Sequence, residues 1–558
     1  MAMQIYYRTS GKICAALLTT GGGSTNGVTG VVSAWADSIP GLIISGNEHS
    51  KYLDSHKDLR MWGVQGYDSS SMVEKVTKYA SRVLSADRVW PELQKAYSIS
   101  MAGRPGPCWL DIPMNIQSTP VEKALEEEEE GPVVESGSLL SKERLDSAVE
   151  SVIERFGKAK RPLIWIGNGV RLAGAENLVE PLLEKLNVPA LVSWAAIDII
   201  DSLHPLVYGR AGTYGQRCAN FILQNCDYLL CIGTRMAIPQ VGYDIQEFAR
   251  AAEISVVDID IHEIRKYETR VQDIINADAG DFLETILNKI DPPAFKGKYN
   301  DWVTICNQYR EKYPWVTKAD HPDVDGFINS YTFMDKLNAY LKEDQIIVTD
   351  MGTALLSGHQ ALVIRKGQRL MTSTGLGEMG YGLPAAIGAS FARNGGEVLC
   401  LNCDGGMMMN LQEIQTIVHH KLPIKIIIFN NDGYLMIKHT QKALFEGRNT
   451  GTDAKSGVSC PNFSKLADAF GIKNYRIRTW ADFDEVIPQL QADNEPVICE
   501  VFMHPQQLFV PKLSLAIQKD GSLISPPLED LSPFISRDEL KDNMLIGIHE
   551  KSTKIEVE

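Results

Sequence analysis

No stretch of the 558 residues approaches the roughly 18 consecutive apolar residues that span a bilayer, so the sequence offers no transmembrane helix. The opening residues, MAMQIYYRTSGK, lack the apolar core and small-residue cleavage site of a secretory signal, and the expected compartment is the cytoplasm. Positive charge is also scarce. Lys and Arg number 55 against 70 Asp and Glu, a formal charge of −15 with a pI near 5.3, and a chain without a cationic face is not expected to hold nucleic acid. The ten cysteines are scattered through apolar stretches, as reduced buried thiols are. Cys400 and Cys403 have CxxC spacing but no second pair to complete a zinc site. What is present is an ordinary globular balance of 44% hydrophobic and 22% charged residues. At about 150 residues per domain the length suggests three or four domains.

Short apolar runs alternate with turn residues and amphipathic stretches along the chain, the rhythm of doubly wound, parallel-sheet α/β domains. Residues 13–19, 40–46 and 108–117 predict strands of a first domain over 1–118, with a glycine turn at 21–23 and Ser24 or Thr25 capping the helix that follows. An acidic linker over 119–141 holds five consecutive glutamates, Glu126 to Glu130, and reads as a solvated spacer. The rhythm restarts in a central domain over 142–290, with strands at 161–170, 227–233 and 253–261, closed by a Pro/Gly-rich connector. A third domain over 330–505 has strands at 345–352, 397–406 and 423–433, and the tail at 506–558 reads as irregular chain with a short helix.

The chemistry concentrates in the third domain. Asp404 follows the apolar run EVLCLNC, precedes Gly405 and Gly406, and is succeeded by the helical stretch LQEIQTIVHHK and a strand ending at Asn430 and Asn431. Oxygens of Asp404 and Asn431 at two strand ends, with a backbone carbonyl of the turn at Gly433, make half of an octahedral shell for a hard cation. Diphosphate oxygens and water would complete it, which is how Mg²⁺ is commonly held. The amides of Gly405 and Gly406 at a helix start suit the same diphosphate. His419 and His420 close that helix at its negative pole and carry no assigned chemistry.

Joined by GLGEMGYGLPAAIGA at 375–389, TTGGGSTN at 19–26 and WGVQGYD at 62–68, this pattern resembles the thiamine diphosphate enzymes, and the order of the motifs resembles their acetohydroxyacid synthase-like branch. The likeness covers nearly the whole chain, with Cys403 where the metal motif of the family usually has glycine. It implies thiamine diphosphate and Mg²⁺ as cofactors, a pyrimidine-binding first domain, a diphosphate-binding third domain, and a central domain that in this branch often binds FAD, while related enzymes hold ADP there or nothing. Because the family places its cofactor between the first domain of one subunit and the third of another, the resemblance implies a homodimer or homotetramer.

Carried over residue by residue, the resemblance assigns Gly22, Asn26, Gly352, Gly377, Gly405 and Gly406 to cofactor binding. Met379 matches the apolar side chain that props the bent cofactor, and Gln65 matches a glutamine facing the reacting centre. Gly212 and Arg235, in GRAGTYG and IGTRM, match the flavin segments. Blander readings stay beside these: Met379 as core, Gln65 as a turn residue, Asn26 as a helix-start cap. The implied activity is decarboxylation of a 2-oxoacid, pyruvate foremost, with transfer of the acyl unit to a second carbonyl compound.

Two departures qualify the expectation. The activating glutamate of the family would fall just upstream of Met1, the first 47 residues contain no glutamate, and Glu48 belongs to a later loop. The first domain is therefore expected to be truncated at its start, through a misassigned start codon, with a catalytically silent cofactor-binding subunit as the alternative. Thr440 stands where the synthases have a tryptophan shaping the acceptor pocket, which opens a second alternative, a ketosugar acceptor in surface-polysaccharide synthesis. Ile437 keeps an apolar wall there, and His439 reads as a solvated or loop histidine.

Overall fold

Near-continuous runs of Val, Ile and Leu, too apolar for a half-exposed strand, pair in parallel and bury both faces. A computed structural model, which describes residues 1–53, 58–120, 139–517 and 523–556, contains three parallel sheets, of which the second and third are built mainly from such runs and the first is only half-buried along Ala15–Leu18 and Tyr79–Arg82. The acidic run Glu126 to Glu130, read as a spacer, lies outside the described residues. The first sheet holds β1 (Ala15–Leu18), β2 (Gly41–Asn47), β3 (Tyr79–Arg82) and β4 (Pro107–Pro113), in the order β1-β2-β4-β3. The second holds β5 (Pro162–Ile166), β6 (Ala190–Val192), β7 (Tyr228–Ile232), β8 (Glu253–Asp258) and β9 (Asp273–Asn276), ordered β6-β5-β7-β8-β9. The third holds β10 (Ile346–Thr349), β11 (Arg369–Met371), β12 (Val398–Cys403), β13 (Ile424–Asn430), β14 (Lys473–Ile477) and β15 (Val497–Phe502), ordered β11-β10-β12-β13-β15-β14. All pairings within these sheets are parallel.

In the third sheet the chain winds one way from β10 to β11 and the other way from β12 onward. The crevice beyond the carboxyl ends of β10 and β12 is therefore the switch point at which doubly wound sheets bind ligands. Asp350 and Asp404 each follow one of those strands directly.

Several boundaries differ from the sequence reading. Ser24 and Thr25 lie inside the helix Gly22–Asn26, where their hydroxyls donate back to the Gly21 carbonyl at 2.9 and 2.8 Å, and the N-cap position belongs to Gly21. The central core does not stop at residue 290. Beyond the Pro292–Ala294 turn the helix Asn300–Lys312 inserts Trp302, Cys306 and Tyr309 into it. The tail also belongs to that core: Leu528, Leu540 and Met544 are buried in it, Asn220 donates to the Leu528 carbonyl, and Arg250 pairs with the buried Glu529. An irregular backbone had concealed this, because apolar anchors spaced without period give no strand or helix signal.

The domains are tied through buried and half-buried polar contacts. Asp198 of the central domain accepts from Arg171 and from Arg369 of the third sheet, at 3.0 and 2.6 Å. Arg104, beyond the first domain's long helix, reaches Asp260 and Glu263 of the central domain. The N-terminal helix Ala2–Ser10 lies on the helix Gly382–Ala392, and Arg8 donates to the Thr372 carbonyl. No helix among the described residues is long and apolar enough to cross a membrane.

Candidate cofactor site

At the tip of β12 the Asp404 carboxylate is 1% exposed and gathers three backbone amides. Oδ1 accepts from Gly405 at 2.7 Å, and Oδ2 accepts from Asn431 and Gly433 at 3.0 Å each. Burial nevertheless pushes its acid form up to about 6. Asn431 is equally buried. Its amide nitrogen donates to Thr353 Oγ1 at 3.1 Å, and its Oδ1 has no hydrogen-bond partner. A buried acceptor without a donor, beside a carboxylate destabilised by desolvation, is a pairing that a bound cation resolves. The residues fit such an ion.

The turn at Gly433 is built around this pair. Gly433 has φ +129°, and a Cβ there would lie 2.1 Å from the Thr452 carbonyl oxygen. Its N–H is the part engaged with Asp404, and among the described residues no donor reaches its carbonyl. Gly405 is needed for close approach: its Cβ would lie 2.3 Å from the Tyr434 ring and 3.2 Å from Met379 Cε. The structure thus brings Met379, Gly405, Gly406, Asp404, Asn431 and Gly433 together. Gly352 (φ +109°) starts the neighbouring helix Thr353–Ala361, and Gly377 (φ +71°) sits where a side chain would strike Met351 Cε.

Gln65 lies in a second group, on the first domain. Its Nε2 donates to the Thr20 carbonyl at 3.2 Å, its side chain fills the space over Gly21, and its N–H with that of Val64 donates to Glu48 Oε1. Gly22 opens the short helix and faces free space. Asn26 is exposed at the other end of that helix, so it ends the helix and does not cap its start. Among the described residues no hydrogen bond joins this group to the Asp404 group.

Between the three domains lies a cavity of about 920 Å³, within the size range of cofactor pockets. Gly212, whose Cβ would strike the Pro239 carbonyl, and Arg235 line it from the central domain, and Met351 and Gly377 line it from the third. Asp258, at the tip of β8, also lines it, and burial pushes its carboxyl up to about 6. Neither Asp258 nor Asp350 was singled out from the sequence, although each is a carboxylate at the end of an apolar run, which was the available signal.

On the helix Leu435–Leu444, Ile437 and Thr440 are exposed, and Thr440 Oγ1 bonds back to the Met436 carbonyl. His439 is neither solvated nor in a loop. It packs on Phe509, its Nε2 is buried without a partner, and burial holds it down near 4, so it is neutral at pH 7. Glu180, Glu184 and His204 form the metal-ligand-type cluster found among the described residues. There Lys366 already pairs with Glu180, and His204 Nδ1 accepts from the Leu206 N–H.

Three parallel α/β sheets, with a carboxylate and an amide gripping a glycine turn at the switch point of the third, define a class of protein that places a phosphorylated ligand at strand tips. Comparison with known proteins makes the class specific. Residues 1–72 match the family model of the thiamine pyrophosphate enzyme N-terminal TPP binding domain, 149–286 the central domain, and 350–501 the C-terminal TPP binding domain. Similar relatives include the acetolactate synthase large subunit of Lactococcus lactis subsp. lactis (strain IL1403), 27% identical over 92% of this chain and 86% of that protein. The isozyme 2 and isozyme 1 large subunits of acetolactate synthase from Escherichia coli (strain K12) are 28% and 30% identical, each over 90% of this chain and over 86% and 85% of those proteins. The chain belongs to the thiamine pyrophosphate enzymes, in their acetolactate synthase-like branch.

Proposed function

We propose that the protein decarboxylates pyruvate and joins the two-carbon acyl unit to the carbonyl of a second 2-oxoacid, releasing carbon dioxide, as an acetolactate synthase does. The observation that carries the reading is the Asp404–Asn431 pair, a desolvated carboxylate beside an unpartnered amide oxygen at the switch point. Those two side chains, with the Gly433 turn, would hold Mg²⁺, and the amides of Gly405 and Gly406 would take the diphosphate. When bound, thiamine diphosphate supplies the carbon nucleophile and the electron sink.

The other assigned residues shape the cleft. Met379, whose flexible thioether fills irregular gaps, supports the cofactor beside Gly405, while Gly352 and Gly377 keep the approach to it clear. Gln65 presents a neutral amide that orients a substrate carbonyl or carboxylate without adding charge, and Gly22 and Asn26 border its half of the site. That half is hydrogen-bonded apart from the Asp404 half, which supports completion of the site by a second subunit in a homodimer or homotetramer. The three-domain cavity with Gly212 and Arg235 supports FAD as a further bound group, and we assign the enzyme to the cytoplasm.

Incubating the purified protein with pyruvate, thiamine diphosphate and Mg²⁺ tests the reading. Acetolactate is the expected product by mass spectrometry. Pyruvate consumption only after a ketosugar is added would overturn the acceptor assignment. Cofactor binding with no turnover of either mixture would establish a silent subunit instead. A flavin absorption band in the purified protein checks the central cavity, and sedimentation checks the oligomer.

A further inference from the structure

We infer that Asp350 is a positioning residue: it fixes Met379 over the Asp404–Gly405 turn by clamping the peptide unit that follows Met379. The inference deepens the reading of the third domain as the diphosphate site and rests on it.

Asp350 follows β10 at the centre of the crevice and is wholly buried, yet no cation pairs with it among the described residues. Both carboxylate oxygens accept the Gly380 N–H, at 3.0 Å each, and Oδ1 also accepts the Met351 N–H at 2.7 Å. On the far side of Gly380, its carbonyl accepts from Asn410 Nδ2 at 2.8 Å. Gly380 itself has φ +86°, a conformation that favours glycine and is held here from both sides.

Further glycines leave room for the carboxylate. A Cβ on Gly406 would lie 2.4 Å from Asp350 Oδ2, and one on Gly382 would lie 3.0 Å from Asp350 Cβ. Asp350 is therefore packed against the metal turn through Gly406 and hydrogen-bonded to the Met379 segment through Gly380. It joins the two parts of the site whose spacing decides how Met379 meets a cofactor. Burial pushes the Asp350 carboxyl up to about 7, a destabilising placement that the amides offset only in part. A residue needed only for packing would be met better by an apolar side chain.

Asp350→Asn keeps the shape and the Oδ1 acceptor for Met351 but sets an NH₂ where Oδ2 accepts from the Gly380 N–H. With Mg²⁺ present, the variant should bind thiamine diphosphate within about threefold of the wild type by calorimetry, because the Asp404–Asn431 grip is intact. Exchange of the thiazolium C2 proton, followed by NMR, and kcat should both fall by roughly tenfold to hundredfold, as expected when a prop shifts by a fraction of an ångström to an ångström. Unchanged exchange, or affinity lost in step with it, would overturn the inference. Should Asp350→Asn fail to fold by far-ultraviolet circular dichroism, Asn410→Ala removes the tie on the other side of Gly380, at its carbonyl. Because that tie holds the Gly380 carbonyl and so fixes the same glycine from the next peptide unit, the variant is expected to show the same split at smaller size, and its absence there is equally decisive. Failure of the wild type to bind thiamine diphosphate would overturn the site reading, and this inference with it.

Discussion

Asp258 and Asp404 are carboxyls at strand tips that their surroundings leave short of positive charge, and each is held near 6 by burial. For Asp258 the consequence for folding has a definite sign. Its folded-state value lies above the ordinary 3.8, so the native state is not penalised at pH below 3.8 and loses stability as pH rises to 6, after which the loss is constant. Replacing it by Asn keeps an acceptor for the Asp260 N–H and removes the ionisation. Asp258→Asn should therefore raise the stability of the cofactor-free protein by about 2–3 kcal/mol at pH 8 and leave it unchanged at pH 3.5. Thermal melts at the two pH values check this, and a gain of equal size at both would refute the burial argument.

Among the elements, the turn from Asn431 to Tyr434 is tightly constrained. Gly433→Ala would place a methyl 2.1 Å from a backbone carbonyl in a φ +129° conformation, and neither can yield cheaply. The variant should lose roughly 2–4 kcal/mol of stability, and its thiamine diphosphate affinity should fall with it, as measured by melts and titration. Strands β10, β12 and β13 were legible from the sequence because each is a predominantly apolar run stopped by Asp or Asn. Strands β3 and β14 were not, since YASR and KNYRI mix polar residues into edge positions, and β11 is only three residues long. That Asp404 and Asn431 meet at neighbouring strand tips could be read from spacing. The bond from the Gly433 N–H to Asp404 could not, because where a backbone amide points depends on a dihedral angle that composition does not encode.

At the scale of the whole molecule, the central domain is the one to which distant segments return. The tail closes its core and Arg369 locks the third sheet to it through Asp198. Removing one partner of a buried pair leaves a charge uncompensated, so Arg369→Met should cost about 3 kcal/mol, with Arg171 holding part of the Asp198 charge. Denaturant unfolding measures it, and a loss below about 0.5 kcal/mol would mean the contact is only as weak as a surface pair. This inter-domain wiring was invisible in the sequence because its partners are 171 residues apart, whereas the three-domain order followed directly from the repeating strand and helix rhythm.

The most direct measurement is a calorimetric titration of the wild type and of Asp404→Ala with thiamine diphosphate, each with Mg²⁺ and with chelator. The wild type should bind only when Mg²⁺ is present, and Asp404→Ala should bind at least about tenfold more weakly. Binding that is indifferent to both Mg²⁺ and Asp404 would contradict the assignment of the strand-tip pair as the cation grip.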